Sequence, residues 1–278
     1  MKVDFMIIGA MKSGTSTLAA ALSRHPEISF CSKKEPHYFS LGDNNWKKNL
    51  DQYHSLFEKR EGVIYGEGST TYSMLPDHNQ EIWNRLYEYN PNLKFIYIMR
   101  NPVERCISQY KHMYLRRYIK LPIEDAIFKV ATIVNNSRYY MQVSPYIEKF
   151  GIDNVLLIDF DDLQLNQSEL SSKICSFLSI GDFEFNFEPE NVTFGGEGKM
   201  DSRLNYPPKL LKFLGERISK DKSKKIWHWL RSLTKIQLKV DVELNLEYKR
   251  ILLRMLELDI QKIENLMGER KDKWRSLK

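Results

Sequence analysis

The sequence predicts an α/β fold: one domain over residues 1–278, with a central parallel β-sheet flanked by helices and a helical C-terminal region. Three observations predict it. Short apolar runs at residues 5–8, 63–66, 95–99 and 155–159 have the length and continuous hydrophobicity of strands buried on both faces. Helical patterns lie between them, at 16–24, 78–89, 102–117 and, as one longer helix, 122–150. Strands separated by helices imply parallel pairing through right-handed crossovers. The third observation is size: 278 residues with 42% hydrophobic content suffice for one large core.

The first run, Phe5 to Ile8, reaches Gly9. Lys12, Ser13, Gly14, Thr15, Ser16 and Thr17 follow, and then Leu18-Ala19-Ala20-Ala21-Leu22. That order reads as buried strand, tight loop and helix N-terminus. The first helical N–H groups and the helix dipole then favour an anion on the loop. Gly9 and Gly14 have the spacing of the Walker A loop, but Thr15 stands where its lysine belongs and the lysine is displaced to Lys12. The loop is therefore P-loop-like, a phosphate cradle not built for a Mg-nucleotide triphosphate.

The run at 94–99 ends in Arg100-Asn101-Pro102, with Pro102 placed for the first turn of the next helix. Ser108 lies eight residues after Arg100, and a planar guanidinium with a nearby hydroxyl suits phosphate oxygens. Residues 191–203 carry three glycines together with Lys199 and Arg203. Another helix is expected at 168–178. A last one is expected at 245–267, with Ile251, Leu252, Met255, Leu258, Ile263 and Leu266 at helical spacing and Gly268 as its stop.

These motifs together resemble the sulfotransferases that use 3′-phosphoadenosine 5′-phosphosulfate (PAPS). Lys12 to Leu18 are similar to the family loop K-S-G-T-[ST]-x-L, and Arg100 to Ser108 to its R-[ND]-P segment and following serine. The resemblance implies that Lys12 contacts the oxygen bridging phosphate and sulfate, and that Ser13, Gly14, Thr15, Ser16 and Thr17 hold the phosphosulfate. It implies that Arg100 and Ser108 bind the 3′-phosphate, with Gly198, Lys199 and Arg203 wrapping the same group. Val155 to Leu163 look like the family strand ending in Y-E-D-L, with Phe160 in place of the tyrosine and able to stack on adenine.

Lys33 to Phe39 resemble the K-E-x-H-F-F stretch of the glycosaminoglycan-type and related bacterial members, whose glutamate is the proposed base. Glu35 is the expected base, and His37 is the alternative because its unperturbed pKa lies nearest neutrality. The segment from Gly66 to Tyr72 has no histidine, unlike the phenol and steroid branch, and Gly68 stands where the carboxylate-base branch often has a lysine. Glu67, Tyr72 and His112 are expected to contact the acceptor. The variable segments expected to select it are 40–52, 68–78, 110–122 and 209–233, rich in Tyr, Trp, His and Asn. They suit a polar small molecule with some flat surface, such as an alkaloid-like secondary metabolite, or a saccharide.

The net charge of +6 is uneven. Residues 201–278 hold 20 Lys/Arg against 11 Asp/Glu, and the remainder holds 22 against 25. The basic stretch around Trp227-His228-Trp229 reads as a solvated amphipathic region; a polyanionic partner is the other reading. The three cysteines, Cys31, Cys106 and Cys175, suggest neither a disulfide framework nor zinc, and the expected compartment is reducing and cytoplasmic. No run approaches the ~20 apolar residues of a membrane helix. The expected partner is a small-molecule acceptor, with no nucleic acid, membrane or metal. The competing readings are a P-loop nucleotide kinase or ATPase, and a non-enzymatic nucleotide- or polyanion-binding module.

Overall fold

The chain is described here by a computed structural model that covers residues 1–40, 46–78, 81–188 and 242–277, and the backbone at 197–199 and 237–239. The five strands of the main sheet are β1 (Phe5–Gly9), β2 (Ile28–Phe30), β3 (Ile64–Gly68), β4 (Lys94–Met99) and β5 (Val155–Asp159). They are all parallel and lie in the order β2-β3-β1-β4-β5. The phosphate-type loop therefore leaves a central strand, and the carboxyl ends of its neighbours surround it. In open α/β sheets that edge is where ligands bind.

Alternation along the strands divides the core in two. Met6, Ile8, Phe95, Tyr97, Val155 and Leu157 pack on one face, and Phe5, Ile7, Ile96, Ile98, Leu156 and Ile158 on the other. Both faces are buried, which is why these strands read as continuous apolar runs. Helix α1 (Thr15–Leu22) covers the second face through Leu18, Ala21 and Leu22. The first face is covered by α3 (Ile82–Tyr89), α4 (Pro102–Leu115) and α7 (Tyr139–Phe150), with the short α2 (Leu50–His54) at the margin.

The expected helix at 122–150 is a correction. It is three helices, α5 (Ile123–Lys129), α6 (Ala131–Asn135) and α7. The break before α7 is fixed by tertiary contacts: Ser137 Oγ donates to the Pro102 carbonyl at 2.9 Å and accepts from Arg105 Nε at 2.5 Å. After α8 (Asp162–Leu165) and α9 (Gln167–Leu178), the last long helix is α10 (Leu246–Met267). Asn245 caps it, its side chain accepting from Glu247 N at 2.7 Å, and Gly268 ends it at φ 66°. Strands β6 (Glu197–Lys199) and β7 (Gln237–Lys239) pair antiparallel. Strand β2, three residues long, had no counterpart among the expected elements.

The C-terminal turn at Asp272–Arg275 returns to the sheet edge. Trp274 is buried against Tyr139, ring centroids 5.7 Å apart. Asn101 Nδ2 donates to the carbonyls of Lys273 at 3.2 Å and Trp274 at 3.4 Å, so the turn braces the end of β4.

Candidate active site

The site grows from the end of β1. Gly9 lies against Ser73 and Tyr97 so closely that a Cβ there would come within 2.5 Å of both. The chain then turns: Ala10 N donates to Ile98 O at 2.7 Å, and Ser13 N to Ala10 O at 3.1 Å. Lys12 sits at φ 72° and Gly14 at φ 91°. A Cβ on Gly14 would meet the Phe160 ring at 2.9 Å, so both the backbone conformation and the space require glycine. Thr15, Ser16 and Thr17 form the first turn of α1, and its N-terminal N–H groups face the loop.

Beneath the loop lies a residue the sequence reading did not single out. Arg105 is fully buried. Its guanidinium donates to the carbonyls of Ile133 and Met11, the latter at 3.4 Å, and so ties α4 to the loop backbone. The available signal was a lone arginine on the stripe of α4 that also carries Val103, Cys106, Gln109 and Tyr110. Above the loop, Arg100 Cζ lies 5.2 Å from the Phe160 ring centroid, and its Nη2 is 2.5 Å from Glu104 Oε2. Phe160 thus packs between Gly14 and Arg100. Tyr139 donates to the Arg100 carbonyl at 2.8 Å, and Asn101 caps α4 by accepting from Val103 N and Glu104 N.

Burial depresses the Lys12 pKa, and Arg100, Lys34, Arg116 and Arg105 depress it further. Lys12 thus sits in a cationic environment, which suits an anionic ligand. Two buried polar atoms there find no hydrogen-bond partner among the described residues: Ser13 Oγ and Arg100 Nε. A phosphorylated ligand held by the loop and by Arg100 would satisfy such donors. Ser108 is half-buried on α4. His112, also on α4, is held down to about 4 by burial, Lys12 and Arg116, so it is a neutral imidazole beside the cations.

A cleft of about 220 Å³ opens beside the loop, lined by Thr15, Ser16, Lys34, Glu35, Gly68 and Thr70, with Phe30 and Cys31 also on its wall. The expected base therefore shares a cleft with the expected anion loop. Lys34, like Gly68, is among the residues that line that cleft. Glu35 Oε2 accepts from Thr70 Oγ1 at 3.2 Å and lies 3.5 Å from His37 Nε2. His37 Nδ1 is 2.8 Å from Thr71 Oγ1. Burial lowers the His37 pKa against the upward pull of Glu35, which favours the neutral ring.

Two expected acceptor contacts are corrected. Glu67 and Tyr72 are fully buried, and the Tyr72 hydroxyl donates to Glu67 Oε1 at 2.7 Å. Neither side chain reaches the cleft, because both are used inside the core below it. Gly198 and Lys199 lie in β6, paired with Leu238 and Gln237. Arg203 and the basic 209–233 segment lie outside the described residues. Among the described residues, no three His, Cys, Asp or Glu side chains gather as a metal site, the three cysteines are free and buried, and no helix is long and apolar enough to cross a membrane.

A parallel sheet with a cationic loop at the end of its central strand, and a carboxylate across one cleft, defines an α/β enzyme-type anion site. The chain belongs to the sulfotransferase family: the model of the sulfotransferase domain matches residues 2–192. A membrane-associated sulfotransferase, kil1, from Dictyostelium discoideum is 36% identical over 127 residues, 44% of this chain and 26% of that protein. Heparan sulfate glucosamine 3-O-sulfotransferase 5 from Homo sapiens is 28% identical over 172 residues, 57% of this chain and 48% of that protein. The chain thus spans less than half the length of these curated relatives. A solved sulfotransferase from Alicyclobacillus acidocaldarius shares the fold, with a TM-score of 0.69 over 99% of this chain and 100% of that one at 22% identity.

Proposed function

We propose that this protein is a PAPS-dependent sulfotransferase acting on a hydroxyl or nitrogen of a polar small molecule. A secondary metabolite such as an alkaloid, or a saccharide, is the acceptor proposed; the names of the heparan sulfate relatives support the saccharide. The observation that carries the reading is the shared cleft: Glu35 lines it together with Thr15 and Ser16, next to the loop that carries Lys12. When bound, PAPS supplies an activated sulfuryl group for in-line transfer, with 3′,5′-adenosine bisphosphate as the leaving product.

The chain's own residues then have distinct tasks. Lys12 and the α1 N–H groups stabilise negative charge developing at the leaving oxygen, already oriented before reaction. Arg100 and Ser108 would hold the 3′-phosphate, with Gly198, Lys199 and Arg203 closing over it, and Phe160 would lie on the adenine side. Glu35 takes the acceptor's proton on a carboxylate oxygen, and His37, 3.5 Å away, orients it or takes its place. A cytoplasmic setting is part of the proposal, supported by three free thiols.

The test is direct. Purified protein is titrated with adenosine bisphosphate and with Mg-ATP, then incubated with PAPS and a metabolite extract. Micromolar bisphosphate binding, no ATP binding and products one SO₃ unit heavier are expected. ATP binding without sulfation would return the chain to the kinase reading, and bisphosphate binding without transfer to any acceptor would leave it a binding module.

A further inference from the structure

Glu67 is a carboxylate with no exposed surface, one layer beneath Glu35 and His37. Three hydroxyls donate to it: Tyr53 at 2.8 Å and Tyr72 at 2.7 Å to Oε1, and Ser69 at 2.7 Å to Oε2. A buried carboxylate costs several kcal/mol of desolvation unless it is well supplied with donors. Burial pushes the Glu67 pKa up, and the three hydroxyls pull it down. The arrangement has a direction. Ser69 spends its only proton on Glu67, so its lone pairs are left to accept, and they accept the His37 N–H at 3.1 Å.

That bond holds a turn that would not hold itself. His37 is at φ 57° and Glu35 at φ 51°, a region non-glycine residues adopt at a cost of order 1–3 kcal/mol and keep only where the surroundings impose it. The residues after Ser69 complete the support: Thr70 reaches Glu35 and Thr71 reaches the His37 ring. Glu35, Cys31 and Tyr89 are the other titratable groups that share Glu67's electrostatic surroundings.

We propose that Glu67 is a positioning residue for the reaction: its buried, acceptor-only carboxylate orients Ser69, and Ser69 fixes the strained Glu35–His37 turn in the reactive geometry. The proposal rests on the proposed sulfotransfer, with Glu35 or His37 as base. It assigns Glu67 no contact with either substrate.

Glu67→Gln replaces one acceptor oxygen by a donor and inverts the polarity offered to Ser69 or to the tyrosines. Loss of base alignment should lower kcat by about 10²-fold. Adenosine bisphosphate affinity should be unchanged, since the loop and Arg100 are untouched. The acidic limb of the pH–rate profile should move to lower pH, because a like charge beneath the base pair is gone. Ser69→Ala cuts the link with Glu67 intact and should give the same kcat loss, and the double variant should be no worse than either single one. Ser69→Ala also serves if Glu67→Gln does not fold. Wild-type kcat in either folded variant, strictly additive losses, or a fall in bisphosphate affinity matching the fall in kcat would overturn the role. Absence of sulfotransfer by the wild-type protein would instead overturn the reaction itself.

Discussion

Glu35 and His37 flank Pro36, both with left-handed backbones, and turn their side chains onto each other, Oε2 to Nε2 at 3.5 Å. The turn sets two candidate proton acceptors side by side, with Glu35 on the wall of the cleft. Conformations of this kind gather at functional sites because the fold must hold them there. The pair ranks itself by experiment. Glu35→Gln keeps shape but cannot take a proton, so turnover should fall by roughly 10²–10⁴-fold with donor affinity near wild type. His37→Asn should be the milder change. Steady-state kinetics of both variants decide it, and the opposite ranking moves the base to His37.

Lys12→Ala should lower turnover by about 10²-fold or more. The native fold should survive, since burial and four neighbouring cations already disfavour the ammonium. Thermal unfolding with and without adenosine bisphosphate checks both parts: the melting temperature of the free protein should hold, and the ligand-induced rise should shrink.

Arg100 offers a sharper test through its neighbour. Glu104 Oε2 competes for Arg100 Nη2 at 2.5 Å, but Glu104 is 59% exposed, so the pair is worth only a few tenths of a kcal/mol. Glu104→Gln should therefore tighten adenosine bisphosphate by about twofold, an exposed pair's worth. Arg100→Ala should weaken it by about 10-fold or more, the loss of a charged hydrogen bond. Adenosine 5′-phosphosulfate, which lacks the 3′-phosphate, should be far less affected by either change, and by Ser108→Ala. Calorimetric titration of the two ligands separates the outcomes, and equal losses would place the 3′-phosphate elsewhere.

His112 predicts a pH dependence of stability. Its folded pKa is about 4, against an ordinary 6.5, so the folded state refuses a proton that the unfolded chain accepts. The contribution is complete above about pH 6.5 and is lost as pH falls toward 4. Urea unfolding midpoints across that interval should decline less steeply in His112→Asn than in wild type. An unchanged slope would show that the imidazole is not held neutral.

The sequence by itself determined the parts of this protein whose signal is local. Strands buried on both faces read as apolar runs, so β1, β4 and β5 were legible whole, and β3 only through its first residues, before Glu67. Gly14 marks a loop conformation that other residues resist, and Pro102 at the start of α4 and Gly268 at the end of α10 are helix-end signals read at single positions. Lys12 and Arg100 stood out because each follows an apolar run that forms a strand, and Glu35 because its segment resembles a family motif; the fold sets Glu35 in one cleft with Thr15 and Ser16.

Tertiary structure alone decided what depends on residues far apart in the chain. Strand β2 is three residues long, too short for any period to show, and exists because Ile28 and Phe30 pair with β3. The break between α6 and α7 falls at Asn135-Asn136-Ser137, a weak local signal, and is held by Ser137 meeting Pro102 and Arg105. Glu67 read as a contact for the acceptor because its motif lies at a strand end, yet the side chain of a strand residue falls on one face or the other. Here it points inward, where Tyr53, from a different helix, and Tyr72 supply its hydrogen bonds. A charged residue is buried only where the fold delivers enough donors to replace water, and that supply is a property of the assembled core.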